Sequence, residues 1–139
     1  PQVADFAAER DIRVGVEHFP GKALPTAAGT LEWLADLGHP NLYLLLDIGH
    51  LQMSQEDPVA TIAAAADRLA YVHLDDNDGE GDLHWALLDG VLTAEALATT
   101  LAALKSSPYA GPVSLELNPQ LPDPLTAINK SRDIVLPHL

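Results

Sequence analysis

The stretch Leu42-Tyr43-Leu44-Leu45-Leu46-Asp47-Ile48-Gly49-His50 decides how this chain folds. Its apolar residues run without alternation, as expected of a strand covered on both faces, the usual condition of a parallel sheet. The run then stops at a carboxylate. Gly49 lets the chain turn so that His50 faces the same space as Asp47. The same ending recurs in Ile12-Arg13-Val14-Gly15-Val16-Glu17, in Leu69-Ala70-Tyr71-Val72-His73 and in Pro112-Val113-Ser114-Leu115-Glu116. Each apolar run stops at a residue that can bind a metal, and a helix-like stretch follows. A buried strand gains nothing from a charge at its last residue. Four such endings read as one site built at the C-terminal ends of parallel strands, where α/β folds place their chemistry.

Working outward, residues 1–10 read as the end of a helix, with Val3, Phe6 and Ala7 at helical spacing. A strand over 12–17 leads into a Pro- and Gly-containing loop. Thr26 caps a helix to Leu37 whose apolar members are Leu31, Trp33, Leu34 and Leu37, and residues 38–41 stop it. After the second strand a loop with Gly49 is expected. Asp57 and Pro58 then form the N-cap and first turn of a helix to Arg68. The third strand opens into a polar loop from Asp75 to about Gly90. Thr93 caps a helix over 94–105, and a last helix spans Pro124 to Val135 after the fourth strand.

The order is a helix followed by four βα units. A (β/α)8 barrel takes ~250 residues, or roughly 31 per unit. The 139 residues therefore match half of one. The expected fold class is α/β, with four βα units forming the C-terminal half of a (β/α)8 TIM barrel. Residues 1–139 form a single partial domain that opens in mid-helix and lacks its N-terminal half. An isolated half leaves two sheet edges and an open interior. Completion by the N-terminal half is expected, and a homo-oligomer is also open to it.

Composition narrows the function. The hydrophobic fraction is 47% and the mean hydropathy is +0.07, as in soluble globular proteins. No apolar run approaches the ~20 residues of a membrane span. No signal-peptide pattern opens the chain, and a cytoplasmic location is expected. With no cysteine there can be no disulfide and no thiolate site, so a metal must be held by nitrogen and oxygen. The net charge of −13 and seven basic residues, no two adjacent, argue against a nucleic-acid partner. There is no P-loop, no G-x-G-x-x-G and no nucleophile elbow.

Each candidate also has a plain structural reading. Asp47 can be a helix-capping aspartate and His50 a loop histidine. Glu17 and Glu116 can be salt-bridged strand ends, and His73 a satisfied core histidine. Their shared topological position favours one site. Carboxylate with imidazole suits Mn, Zn, Co or Fe. Asp76, close after His73, is expected to support the ligands from behind without touching an ion. Asp82 and His84, in the following loop, are candidates for a second metal or for a substrate contact. His18 alternates away from Glu17 and is expected to be structural. His39 and His138 are expected at the surface.

At these residues the chain resembles the xylose-isomerase-like TIM-barrel superfamily of sugar phosphate isomerases and epimerases, over its C-terminal half. Val16-Glu17-His18-Phe19-Pro20 looks like the family's strand-end glutamate, and Asp47-Ile48-Gly49-His50 like its Asp-x-x-His motif. His73-Leu74-Asp75-Asp76 is similar to its His-x-x-Asp, and Tyr109-Ala110-Gly111 to the aromatic-x-Gly approach to the last glutamate. The resemblance implies a divalent ion (Mn, Mg, Co or Zn) on Glu17, Asp47, His73 and Glu116. It implies that Glu17 and Glu116 shuttle a proton beside a carbonyl and that His50 contacts substrate oxygens. Two positions depart from it: Asp75 stands where many relatives carry Lys or Arg, and Leu88 replaces the first glycine of a Gly-x-Gly. Both, with the few basic residues, weigh against a phosphorylated substrate.

The expected function is a metal-dependent isomerase or epimerase of a small sugar or hydroxy-carbonyl compound. An inosose-type dehydratase would use the same proton abstraction. An endonuclease-IV-type zinc phosphodiesterase on abasic DNA is the hydrolytic alternative, because Asp82-Leu83-His84 is similar to that group's loop ligands for a third zinc. A degenerate half-barrel kept as a structural module is the non-enzymatic reading.

Overall fold

The computed structural model describes residues 2–138. Four parallel strands, β1 (Val14–Glu17), β2 (Leu42–Asp47), β3 (Leu69–Leu74) and β4 (Val113–Leu115), lie in the sheet in sequence order. The helices are α1 (Gln2–Ala8), α2 (Ala27–Leu37), α3 (Ile48–Ser54), α4 (Pro58–Ala65), α5 (Ala94–Ser106) and α6 (Pro124–Val135). Among the described residues no strand pairs with the outer edge of β1 or of β4. The chain is an α/β half-length barrel. No helix among the described residues is long and apolar enough to cross a membrane.

The sheet is covered on one face. Leu42, Leu44, Leu46, Val72 and Leu74 are buried with Leu34 of α2, Ile62 of α4, and Leu97 and Leu101 of α5. The alternate residues Tyr43, Leu45 and Tyr71 are only half-buried on the other face. The unbroken apolar run of β2 is thus written for two covered faces, of which this chain covers one. That is what the inner wall of an incomplete barrel presents.

Capping fixes the helix starts as expected. Thr26 Oγ1 accepts the Gly29 N–H at 3.1 Å, Asp57 that of Val59 at 2.9 Å, and Thr93 that of Ala96 at 3.1 Å. Gly38, with φ 64°, ends α2 in the left-handed conformation. The expected loop after β2 is instead the short helix α3, which Asp47 caps by accepting the His50 N–H at 2.9 Å. Strand β1 starts two residues later than expected. Helix α4 stops at Ala65, and a 3-10 turn completes it to Arg68. On α2, Trp33 and Leu37 are exposed, and the face that packs carries Ala27, Thr30 and Leu34. On α1, Ala4 and Ala7 pack inward, while Val3 and Phe6 are exposed.

His39 is not a free surface side chain. Its Nε2 lies 3.0 Å from Asp5, and its Nδ1 accepts the Asn41 N–H at 3.1 Å, so it joins α1 to the start of β2. His138 ends the last 3-10 turn and is exposed.

One buried carboxylate organises the long loop after β3. Asp76 accepts N–H groups from Asn77 at 2.9 Å, Gly90 at 2.7 Å and Leu92 at 3.0 Å. Its backbone bridges to Trp85. The loop is thereby closed on itself at both ends. A Cβ on Gly90 would lie 2.0 Å from the Asn77 carbonyl oxygen, so no other residue fits there. Asp76→Ala leaves three N–H donors without their acceptor. It is expected to lower stability by about 3 kcal/mol, read from the urea midpoint at an unchanged m-value.

Candidate metal centre

The parallel register brings the strand ends together. Asp47 pairs with His73, and His73 with Ser114, in one row across β2, β3 and β4. Glu17 faces Leu45 one step lower on β1. Glu116 lies just past β4, where its N–H still reaches the Leu74 carbonyl at 3.2 Å. Side chains two apart on a strand share a face. Glu17, Asp47, His73 and Glu116 therefore all rise from the half-exposed inner face.

These four bring one donor atom each within 4.8 Å of one another. His73 Nδ1 is 3.7 Å from Glu17 Oε1, 3.7 Å from Asp47 Oδ2 and in contact with Glu116 Oε2. Yet His73 Nδ1, Asp47 Oδ2 and Glu116 Oε2 are buried and none has a hydrogen-bond partner. Orphaned donor atoms converging on one point fit a cation, and an all-nitrogen-and-oxygen set fits Mn, Co or Zn. The expected metal ligands are thus brought together as a set.

The electrostatics agree. Burial pushes the Asp47 carboxyl up, but the His73 side chain, the His50 charge and the His50 N–H outweigh it and hold Asp47 below the usual range. The carboxylates of Asp47 and then of Glu17, each 3.7 Å from Nδ1 and opposed by burial, raise His73 to about 10. In the ion-free chain a proton on His73 occupies the place of a cation.

His50 is buried. Its Nδ1 lies 2.8 Å from the His18 carbonyl, which can only accept, so Nδ1 carries a hydrogen. Its Nε2 lies 3.2 Å from Asp82 Oδ1. His84 Nε2 reaches the same oxygen at 3.0 Å, and His50, Asp82 and His84 form a second donor group. His18 is fully buried, and burial followed by the neighbouring His50 lowers its pKa. Its ring sits edge-on to His50 and accepts the Asp47 N–H at a long 3.4 Å. Asp76 touches none of the donor atoms and acts only through the loop that carries Asp82 and His84.

Two residues of the site escape a reading by motif. Asp75 is fully buried, takes the Gly49 N–H at 3.0 Å and lies 2.8 Å from His84 Nδ1. The signal was its place two residues past His73, which returns its side chain to the inner face. Burial, then the charge of Asp47, pushes its carboxyl up to about 9. Glu56 accepts the Ala27 and Ala28 N–H groups, both at 2.9 Å, and the Ser54 hydroxyl at 2.6 Å, tying α3 to the start of α2. The departure at Leu88 has a backbone correlate. Leu88 holds φ 66° and His84 φ 48°, conformations that glycine adopts without strain. Gly111 is required sterically, since a Cβ there would lie 2.5 Å from the Tyr109 ring.

Parallel strands whose C-terminal ends converge on carboxylate and imidazole donors define a βα-barrel protein with its chemistry at the strand tips. The chain belongs to the xylose isomerase-like TIM-barrel family, whose model matches residues 2–135. It is 30% identical over 118 residues to an L-ribulose 3-epimerase of Methylomonas sp., covering 83% of this chain and 38% of that protein. It is 37% identical over 78 residues to an inosose dehydratase of Erwinia tasmaniensis, covering 54% and 26%. A D-allulose 3-epimerase structure from Methylomonas sp., in complex with D-allulose, superposes with a TM-score of 0.80 at 24% identity, over 99% of this chain and 52% of that one. The matched part of the chain spans 38% of the first relative and 52% of this structure.

Stability should respond to pH with opposite signs with and without an ion. Without one, the folded chain keeps protons that the unfolded chain has released. Rising pH then removes stability, through Asp75 between 3.8 and about 9 and through His73 between 6.5 and about 10. With Mn present the ligands must be deprotonated to bind, so stability gains with pH instead. Thermal midpoints from pH 6 to 9, in chelator and in Mn, are expected to diverge; parallel curves would rule out ion binding here.

Proposed function

We propose that this chain is the C-terminal half of a divalent-metal-dependent sugar isomerase or epimerase acting on a small ketose-like compound. The observation that carries the reading is the convergence of Glu17, Asp47, His73 and Glu116, with orphaned donor atoms, at the strand tips. The names of the relatives, ketose 3-epimerases and inosose dehydratases, support a substrate with a carbonyl beside the reacting carbon. In this reading an N-terminal half-barrel pairs along the open edges of β1 and β4 and closes the interior. Relatives about twice as long support that arrangement.

The four groups divide the work by position. Asp47 is fully buried between neighbours, so beyond capping α3 it can hold an ion but not reach a substrate. Glu17 and Glu116 come from the outer strands, and their side chains stay 36% and 44% exposed, so they can reach a substrate from two sides. One, as carboxylate, takes the proton from the carbon beside the carbonyl, and the electron pair moves onto the carbonyl oxygen. The other, as acid, returns a proton to the opposite face, and the configuration inverts. A bound divalent ion supplies Lewis acidity where the negative charge builds on that oxygen. His50, fixed through Nδ1 on the His18 carbonyl, offers Nε2 to the same cleft, with Asp82 and His84 beside it as further polar contacts.

A dehydratase is the second reading, and the similarity to inosose dehydratases favours it. The same proton is removed, and a hydroxyl group on the next carbon leaves as water. Asp82 and His84, which resemble loop zinc ligands of a phosphodiesterase, do group with His50, but a charge of −13 repels a DNA backbone.

The Mn-loaded natural protein, given a panel of ketoses and inososes in deuterium oxide, is expected to wash deuterium into the carbon next to the carbonyl. Glu17→Gln or Glu116→Gln should lower kcat by about 10²–10⁴-fold with the fold intact. No exchange with any substrate of the panel would defeat both readings. Cleavage of an abasic duplex lost in His84→Ala would move the assignment to the phosphodiesterase.

A further inference from the structure

His84 holds a backbone conformation that a histidine adopts only at a cost. Its φ of 48° lies in the left-handed region, where a side chain crowds the main chain and glycine alone is unstrained. Such a conformation persists where the surroundings impose it, and it collects at functional sites. Here the surroundings are two other stretches of the chain. On one side Trp85 and Asp76 exchange both backbone hydrogen bonds: Trp85 N–H donates to the Asp76 carbonyl at 2.7 Å, and Asp76 N–H to the Trp85 carbonyl at 3.2 Å. On the other side the Asn118 N–H donates to the His84 carbonyl at 2.8 Å. The Asn118 side-chain amide also reaches the Leu83 carbonyl, at a long 3.5 Å.

Asn118 uses every polar group it has. Its Oδ1 accepts the Gln120 N–H at 2.9 Å, and its carbonyl accepts the Leu121 N–H at 3.2 Å. The side chain thus fixes its own turn with the oxygen and clasps the neighbouring loop with the nitrogen. A serine could accept the turn bond but is too short to reach the loop. Asn118 lies two residues past Glu116, whose N–H still bonds the Leu74 carbonyl of β3. One short segment therefore carries both the glutamate and the clasp. What the clasp holds is the His84 ring, with Nε2 3.0 Å from Asp82 Oδ1 and Nδ1 2.8 Å from Asp75 Oδ2.

We infer that Asn118 is a positioning residue of this site, which sets Asp82 and His84 at a fixed place across the cleft from Glu116. All of its own bonds go to backbone groups, so it acts through the loop and not on the substrate. The inference rests on the proposed function in taking Asp82 and His84 as substrate contacts. Glu116 keeps its β-ladder bond without the clasp, so the loss of Asn118 weakens binding rather than the proton transfer.

The Mn-loaded natural protein is compared with Asn118→Ser, Asn118→Ala and His84→Ala on a ketose that it turns over. Both Asn118 variants should raise KM about tenfold and leave kcat within about twofold. In the His84→Ala background the same changes should add nothing, because the two residues act as one unit. Without substrate, the Trp85 amide should exchange about tenfold faster in Asn118→Ser. The imidazole resonances of His84 should shift there, and those of the distant His39 should not. An unchanged Trp85 rate with unmoved His84 signals overturns the inference. So does wild-type behaviour in Asn118→Ser, which leaves Asn118 only its turn, and so does a KM effect that persists in full without His84. If no ketose or inosose is turned over, the proposed function fails, and the substrate-free exchange and His84 signals decide the inference by themselves.

Discussion

Asp47 carries a negative charge with no exposed surface, and the rest of the site is arranged around that constraint. One oxygen is used by the backbone as the cap of α3, and the other points into the space shared with His73. The β2–β3 register sets Asp47 directly opposite His73, so the imidazole nearest the charge comes from the next strand rather than from a flexible loop. A carboxylate buried this way is stabilised only by cationic or donor neighbours. The nearest neighbours are histidines, which can yield the place of their proton to a metal ion.

Adjacent residues then divide two jobs. Asp75 and Asp76 leave β3 one after the other and diverge, because successive side chains on an extended chain point to opposite sides. Asp75 turns to the donor cluster, and Asp76 to the loop amides. The loop bearing Asp82 and His84 is positioned by the second carboxylate while its functional groups face the first. Asn77 adds a bond from its side-chain amide to the Gly49 carbonyl at 2.9 Å, which ties α3 to the loop after β3.

Much of this was legible in the chain because the signal was chemical contrast. A hydrophobic run that breaks at Glu17, Asp47, His73 or Glu116 marks a strand tip, and the tips do converge. Caps at Thr26, Asp57 and Thr93 read correctly because a short oxygen side chain before a helix has one main use. Helix α3 was not legible. It has seven residues and the glycine that suggested a loop, and its cap is the residue read as a ligand. Asp47 caps α3 with one oxygen and leaves the other free toward His73, so the two readings of that residue do not compete. His39 and Asp75 were missed for a related reason. Their partners, Asp5, Gly49 and His84, lie on other elements, and no local spacing reports such contacts.

The double use of Asp47 also bears on how such a chain could drift. A lineage that no longer needed catalysis could change Glu17 or Glu116 at the exposed rim with little effect on folding. Changing Asp47 would uncap a helix and take the buried charge away from His73 in the same step. Gene duplicates of this fold that lose activity should therefore erode from the outer strands inward, and an intact central aspartate in one of them would testify to architecture rather than to surviving chemistry.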